Sequence, residues 1–209
     1  MGLESPRRFA MKRNTSILKL TQIALLTALI IVLQIVGAML NRVVPFLPFN
    51  LSFVLIPIVV GSLLLGVKSG ALLGGIFGLI VVIQCATAID PSGFILWGIN
   101  PVFTILICMV KGIAAGAVPA MVSKLFKKQT YLSTTVAALC APVVNTGLFC
   151  IGMLTLFHGT LVAWAGGSNA LIFCLTGLAG INFIIEFVIN AIFAPAILRI
   201  VKVAKKTEI

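Results

Sequence analysis

The stretch Ile56–Ile80 reads IPIVVGSLLLGVKSGALLGGIFGLI, an almost entirely apolar run interrupted by one charged residue, Lys68. After the lysine, Gly70, Gly74 and Gly78 recur at a spacing of four. Glycines at this spacing share one helix face and let a second helix backbone approach closely. The stretch therefore predicts two apolar helices separated near Lys68, the second packed tightly inside a helical bundle.

The whole chain has the composition of a membrane protein. Hydrophobic residues make up 61% of it and charged residues only 9%, against roughly 25% charged residues in a soluble domain. A helix needs about 20 apolar residues to cross a bilayer, and the second and third apolar segments are short. Six segments are apolar: Ser16–Leu40, Leu51–Leu65, Ser69–Cys85, Pro101–Ser123, Leu132–Phe157 and Ala170–Val201. They predict an all-α integral membrane protein, a compact bundle of six transmembrane helices.

The basic residues predict the orientation of this bundle. The chain has 15 Lys and Arg against 4 Asp and Glu. If the six segments alternate in direction, Arg42 falls on one side, Lys111 lies within the fourth segment, and all the others fall on the opposite side. Those thirteen are Arg7, Arg8, Lys12, Arg13, Lys19, Lys68, Lys124, Lys127, Lys128, Arg199, Lys202, Lys205 and Lys206. The positive-inside rule then places both termini in the cytoplasm.

The same pattern divides the chain into three parts. Residues 1–15 form a basic cytoplasmic tail, residues 16–202 the membrane domain, and residues 203–209 a second basic tail. Because Met11 is a second possible start, residues 1–10 could be an added segment. In a soluble protein the net charge of +11 would indicate nucleic-acid binding, but charge confined to short loops and tails favours a membrane protein with no nucleic-acid partner.

Three loops are expected on the outer side, at 41–50, 86–100 and 158–169. They are longer than the inner loops and carry both tryptophans, Trp97 and Trp164, near the interface that such rings favour. This asymmetry indicates ligand capture outside and docking inside. The alternative, that long outer loops are merely tolerated, carries equal weight.

Polar residues inside the apolar segments mark a candidate binding site. Lys111 lies about ten residues into the fourth segment, where a charge costs at least about 2.5–3.5 kcal/mol. Three groups are candidates: Asn100, Thr104 and Lys111 on one helix face, Asn145 with Thr146, and Asn182, Glu186 and Asn190 at spacing four. Polar residues inside a membrane segment are by default hypotheses for a functional site. The structural alternative is a Lys111–Glu186 ion pair that only holds helices together.

Catalysis, metal binding and ATP hydrolysis find no support in the sequence. His158 is the only histidine, and no nucleophile stands beside a base. The five cysteines form no CxxC pair, and there is no Walker motif. We therefore expect no enzyme activity, cofactor or metal, and if ATP drives transport, the ATPase is another polypeptide.

Taken together, these residues resemble the substrate-binding S component of an energy-coupling factor (ECF) vitamin transporter. The resemblance covers essentially the whole chain, and it is carried by Ile56–Ile80, by APVVNTGLF at Ala141–Phe149 and by the stripe of Asn182, Glu186 and Asn190. The last two are similar to the subgroup that includes pantothenate, folate and cobalamin S components. In this family, small alanines of the first helix bind the transmembrane coupling subunit, and Ala24 and Ala28 match them.

The resemblance implies a subunit in the plasma membrane of a bacterium that binds a vitamin from outside. Its partners would be a transmembrane coupling subunit and two cytoplasmic ATPases. Pantothenate is favoured, because its carboxylate would pair with Lys111 or Arg42 and its hydroxyls and amide with Asn side chains. The predicted substrate-binding residues are Trp97, Asn100, Lys111, Asn145, Asn182, Glu186 and Arg42.

Other functions remain open. Folate, cobalamin, pyridoxine or riboflavin could replace pantothenate as the vitamin. An ion-coupled secondary transporter would use Glu186 or Asp90 as its ion or proton site, although no internal repeat typical of such transporters is visible.

Overall fold

The apolar segments fold into helices, which satisfy their own backbone polar groups where lipid offers no partners. A computed structural model describes residues 6–43, 53–126 and 131–207, without the side chains of 6–16, 40–43, 181 and 205–207. The helices are α1 (Pro6–Val43), α2 (Leu55–Leu65), α3 (Val67–Ala86), α4 (Pro91–Ile99), α5 (Pro101–Lys124), α6 (Tyr131–Thr155), α7 (His158–Ala165), α8 (Ala170–Phe173) and α9 (Gly180–Thr207), with a π-turn (Cys174–Leu178) between α8 and α9.

The predicted all-α membrane bundle is confirmed. Helices α1, α3, α5, α6 and α9 are each long and apolar enough to cross a bilayer. Helix α2 has only 11 residues, eight of them buried, so the second predicted segment is a short, internal helix. Helix α1 begins before the predicted first segment and continues to Val43, so the first three residues of the expected loop 41–50 are helical.

Two of the expected outer loops are partly helical, and this part of the prediction was wrong. Helix α4 fills most of loop 86–100 because Asp90 caps its first turn and Pro91 follows at the first helical position. Helix α7 fills most of loop 158–169. It ends at Gly166 and Gly167, whose φ angles of 56° and 93° suit glycine.

The predicted sixth segment, Ala170–Val201, is not one continuous helix. Its first part forms α8 and the π-turn, and the transmembrane helix α9 begins only at Gly180. The axis of α7 is bent by 87° from that of the unit formed by α8 and the π-turn. The chain between α6 and α9 therefore contributes several short elements at one end of the bundle.

Helices α3 and α5 pack backbone to backbone through glycine, as the spacing predicts for α3. A Cβ at Gly70 or Gly74 would collide with the carbonyl oxygen of Gly116 or Gly112, respectively, and one at Gly78 would stand 2.6 Å from the Cys108 oxygen. The contacts are reciprocal, because α5 supplies glycines of its own. The two helices are antiparallel and closely apposed, and the C-terminal half of α3 and the N-terminal half of α5 line the candidate site described below.

Helix α2 is joined to α5 by a buried hydrogen bond. Pro119 lies inside α5, where its ring disturbs the regular pattern of helix hydrogen bonds. The backbone N–H of Ala120 donates to the hydroxyl oxygen of Ser62 over 3.0 Å. Ser62 itself is fully buried. A side chain of α2 therefore accepts a hydrogen bond from the backbone of α5 next to the proline.

Helix α1 lies at the periphery of the bundle. Only 17% of its spanning stretch is buried. Leu26 and Ile30 anchor it to the main hydrophobic core, and the buried Gln34 accepts a hydrogen bond of 3.3 Å from the Gln84 amide of α3. Ala24 and Ala28 lie on the exposed face of α1, where a partner helix has access to them.

Candidate functional site

Two adjoining cavities lie between α3, α5, α6 and α9, next to the short helices α4 and α7. Their volumes are about 70 Å³ and about 140 Å³. Asp90, Lys111, Phe149 and Leu178 line both of them, so we treat the two cavities as one candidate site. It lies at the ends of α3 and α5 that the charge pattern predicts to be outside.

Lys111 is the central charged residue of this site. Its side chain is only 7% exposed, and its ammonium lies 5.1 Å from the centroid of the Phe149 ring. This cation–π contact offsets part of the cost of desolvation. In the described residues, no carboxylate oxygen lies within 4.0 Å of the Lys111 ammonium nitrogen, the limit for an ion pair. The structural alternative, a direct Lys111–Glu186 ion pair, is therefore not formed.

The smaller cavity places a carboxylate and an indole near Lys111. Its lining includes Asp90, Thr104 and Trp164. The Asp90 carboxylate caps α4 by accepting a hydrogen bond of 3.2 Å from the Gly93 N–H. Any Cβ at position 93 would stand 2.8 Å from the other Asp90 oxygen and collide with the Cys85 sulfur. Glycine at this position therefore lets α4 close over the cavity.

The larger cavity is lined by amide and hydroxyl groups. Asn145 and Thr146 reach it from α6, and Asn182 reaches it from α9. The Asn182 amide donates to Oε1 of Glu186 over 3.2 Å. Glu186 is fully buried and lies behind the cavity wall. The site thus combines the Lys111 cation with the Asp90 carboxylate and several neutral hydrogen-bonding groups, and the ammonium, which has no ion pair among the described residues, suits a small polar anion.

The structure brings Lys111, Asn145 and Asn182 together around the cavity, as the intramembrane polar pattern indicated. Glu186 stands directly behind them. Arg42 belongs to the last turn of α1, and its side chain lies outside the described residues.

Two other predicted site residues lie elsewhere. Asn100 caps α5, where its side-chain oxygen accepts a hydrogen bond of 3.1 Å from the Phe103 N–H. Trp97 packs against the main hydrophobic core, and it is absent from the lining of both cavities. Both residues belong to the outer elements without facing the cavity.

Asp90, Phe149 and Trp164 also line the site, although the sequence pattern predicted none of them as substrate-binding residues and indicated Asp90 only for the secondary transporter. For Asp90 a signal was present, since Asp-Pro at 90–91 is the start signal of a helix and would have placed α4 there. Phe149 and Trp164 carry no such signal, because aromatic residues are common in apolar segments. Only the fold identifies which aromatic side chains face Lys111.

Two larger cavities are less suited to a polar ligand. One, of about 450 Å³, runs along α9 and is lined by residues of that helix alone. The other, of about 270 Å³, lies between α1 and α3 and is lined mainly by aliphatic side chains. Within the described ranges, no three or more His, Cys, Asp and Glu residues are grouped in a way that could hold a metal ion.

Comparisons with known proteins agree with these features. Residues 18–198 match the family model described as ECF transporter, substrate-specific component. The pantothenic acid transporter PanT of Lactococcus lactis subsp. cremoris (strain MG1363) is 26% identical to this chain over 183 residues. The alignment covers 84% of this chain and 89% of that protein.

Proposed function

The chain belongs to the family of ECF transporter substrate-specific components, and from this premise we propose that it binds pantothenate and delivers it to an ATP-driven importer. The family is one of transport subunits and not of enzymes. A relative named as a pantothenic acid transporter aligns over most of both chains.

The observation that carries the proposal is the buried Lys111 ammonium facing a cavity lined by amides. Such a cation needs an anionic partner, and none of the described carboxylates supplies one at ion-pair distance. Pantothenate has one carboxylate, one amide and two hydroxyl groups. Its carboxylate pairs with Lys111, while Asn145, Thr146 and Asn182 provide donors and acceptors for its neutral polar groups. Arg42 remains a second predicted partner for the carboxylate.

The importer requires further polypeptides, because this chain has no Walker motif. Its partners are a transmembrane coupling subunit and two cytoplasmic ATPases. The exposed alanines Ala24 and Ala28 of α1 form the predicted contact with the coupling subunit. The predicted location is the plasma membrane of a bacterium, with the basic inner loops and both termini in the cytoplasm.

The substrate is tested by thermal stabilisation of the purified full chain in detergent against a panel of vitamins. A ligand that binds only the folded state at one hundred times its Kd stabilises that state by about 2.7 kcal/mol. We expect pantothenate to raise Tm at submicromolar concentration and folate, cobalamin, pyridoxine and riboflavin to leave it unchanged. Stabilisation by one of those four instead would refute the pantothenate assignment.

The role of Lys111 is tested with matched lysine variants. Lys111→Ala removes a charge-assisted hydrogen bond, so we expect pantothenate affinity to fall roughly 10- to 150-fold. Lys68→Ala is the control, because Lys68 is exposed at the start of α3. The alcohol analogue of pantothenate lacks the carboxylate and should lose much less affinity in Lys111→Ala. Unchanged pantothenate affinity in both Lys111→Ala and Arg42→Ala would rule out carboxylate pairing.

A buried carboxyl group in the membrane, Glu186, also suits an ion-coupled secondary transporter. Uptake assays separate the two functions. Pantothenate accumulation in vesicles that contain this chain and no ATPase would favour the secondary transporter. Accumulation only after the coupling subunit, the ATPases and ATP are added would favour the importer.

A further inference from the structure

Glu186 is a buried ionisable group that the ligand contacts proposed above leave without a task. It is fully buried in the transmembrane helix α9, and neither cavity reaches it directly. Its nearest polar neighbours, Asn182 and Asn145, both line the larger cavity. A ligand in that cavity is therefore separated from Glu186 by a single layer of side chains.

The polar atoms around Glu186 are incompletely satisfied. Oε1 accepts from the Asn182 amide, but Oε2 has no hydrogen-bond partner in the described part of the chain. The side-chain oxygen of Asn145 also lacks a donor, and the Asn145 side chain lies next to the Glu186 carboxyl group. A buried carboxylate oxygen without a donor is costly, so the ionised form of Glu186 depends on attraction from a nearby cation.

The charges near Glu186 come from few groups. Helix α9 packs against α2, α6 and the π-turn. Of these, α2 carries no ionisable residue, α6 presents Asn145 to Glu186, and the π-turn contributes only the buried Cys174. Lys111 of α5 interacts electrostatically with Glu186. Asp90 lines the cavity from the start of α4.

Lys111 thus connects Glu186 to the ligand. Without ligand, Lys111 is the nearby cation that favours the ionised form of Glu186. A ligand carboxylate placed beside Lys111 brings a second negative charge to the same cation, in a low-dielectric environment where like charges repel strongly. We propose that Glu186 takes up one proton when a carboxylate ligand binds beside Lys111. This inference rests on the proposed function, because it requires an anionic ligand at that cation.

The step is balanced in atoms and charge. One proton passes from water to Oε2 of Glu186, and no bond of the ligand is made or broken. The ligand contributes one negative charge and the proton one positive charge, so the net charge of the occupied site equals that of the empty one. The buried region of the protein then gains no net charge when it takes an anion into the membrane.

Proton uptake is measured by titration calorimetry of the purified full chain with pantothenate, in several buffers that differ in ionisation enthalpy. The binding heat should vary linearly with that enthalpy, with a slope that approaches one proton taken up per ligand as the pH is raised above neutral and the carboxyl group of the empty site becomes ionised. Because protons are bound together with the ligand, affinity should fall as pH rises, by about tenfold per pH unit where uptake is complete. A slope of zero would overturn the inference.

Two variants assign the proton. Glu186→Gln cannot be protonated, so its slope should be zero and its affinity should not change with pH. Asp90→Asn removes the other carboxylate of the site; its affinity can change because Asp90 lines the cavity, but the ligand that binds should still take up a proton. Uptake that persists in Glu186→Gln, or that disappears in Asp90→Asn while pantothenate still binds, would assign the proton elsewhere and contradict the proposal.

A second measurement covers the case in which Glu186→Gln fails to fold. Infrared difference spectra of the wild-type chain should show the carbonyl band of a protonated carboxylic acid appearing when pantothenate is added, and no such band would overturn the proposal. The same titration tests the proposed function independently. If pantothenate produces no binding heat in any buffer, the ligand assignment is refuted. If it binds with equal heat in all buffers, only the proton uptake is refuted.

Discussion

Alanine at Gly74 and at Gly75 should change stability in opposite directions. An ideal Cβ at Gly74 collides with the Gly112 carbonyl oxygen and stands 2.9 Å from its carbon and 3.1 Å from the Gly116 nitrogen. These are backbone atoms, which cannot rotate away as a side chain can. At Gly75 the nearest atom is a side-chain carbon of Ile113 at 3.5 Å, an ordinary contact. The two positions are adjacent in one helix and share the same membrane depth.

The magnitudes follow from these contacts. Overpacking lowers the free energy of unfolding by about 1–3 kcal/mol, and the rigid backbone contact at Gly74 places the cost of Gly74→Ala at the upper end of this range. Alanine recovers up to about 1 kcal/mol of helix propensity over glycine. The expected net effect is a loss of about 2 kcal/mol for Gly74→Ala and a gain of up to about 1 kcal/mol for Gly75→Ala. At about 2–4 °C per kcal/mol for a chain of this size, Tm should fall by about 4–8 °C and rise by up to about 4 °C.

The assay is thermal unfolding of both variants and the wild type in one detergent at one scan rate, since membrane proteins often unfold irreversibly. Gly74→Ala should also weaken pantothenate binding, because α3 and α5 bound the cavity and must separate to admit the methyl group. A rise in Tm for both variants would refute the close helix contact and leave helix propensity as the only effect of these substitutions.

Two further outcomes are expected. Ser62→Ala should remove the Ser62 acceptor of the buried Ala120 N–H and lower the free energy of unfolding by about 1–3 kcal/mol. The control Ser69→Ala removes only a local hydrogen bond of 3.4 Å and should change the free energy of unfolding by less than about 0.5 kcal/mol. Equal Tm values for the two variants would contradict this prediction. Pantothenate should change the fluorescence of Trp164, which lines the cavity. This fluorescence change should be lost in Trp164→Phe and kept in Trp97→Phe. The reverse pattern would place the ligand elsewhere.

The cost of polar groups in a membrane explains why part of the site was predictable from sequence. Lys111, Asn145 and Asn182 are expensive wherever the chain places them in lipid, so their residue types alone indicated an internal cavity. The glycine spacing of α3 also predicted close packing from residue type alone, because the absence of a side chain does not depend on the neighbouring helix. The matching glycines of α5 were not singled out, since their role depends on which helix lies opposite.

The remaining features depend on tertiary structure. Trp97 and Trp164 both lie in the predicted outer loops, and no pattern in the sequence distinguishes the one that faces Lys111. That choice depends on the bend after α7, where Gly166 and Gly167 take positive φ angles. The break in the sixth segment was missed because its residues are apolar throughout, and hydropathy does not detect a change of direction.

The short helix α2 has a consequence for the surrounding bilayer. At 1.5 Å per residue its 11 residues extend about 16 Å, roughly half of a hydrocarbon layer about 30 Å thick. Facing lipid, such a helix would create a large hydrophobic mismatch, which a bilayer relieves only by thinning at a cost per ångström. Leu26 and Ile30 hold α1 against the core that contains α2. Helix α1 therefore shields α2 from lipid, and a substitution that detaches α1 should make the stability of the protein depend on bilayer thickness.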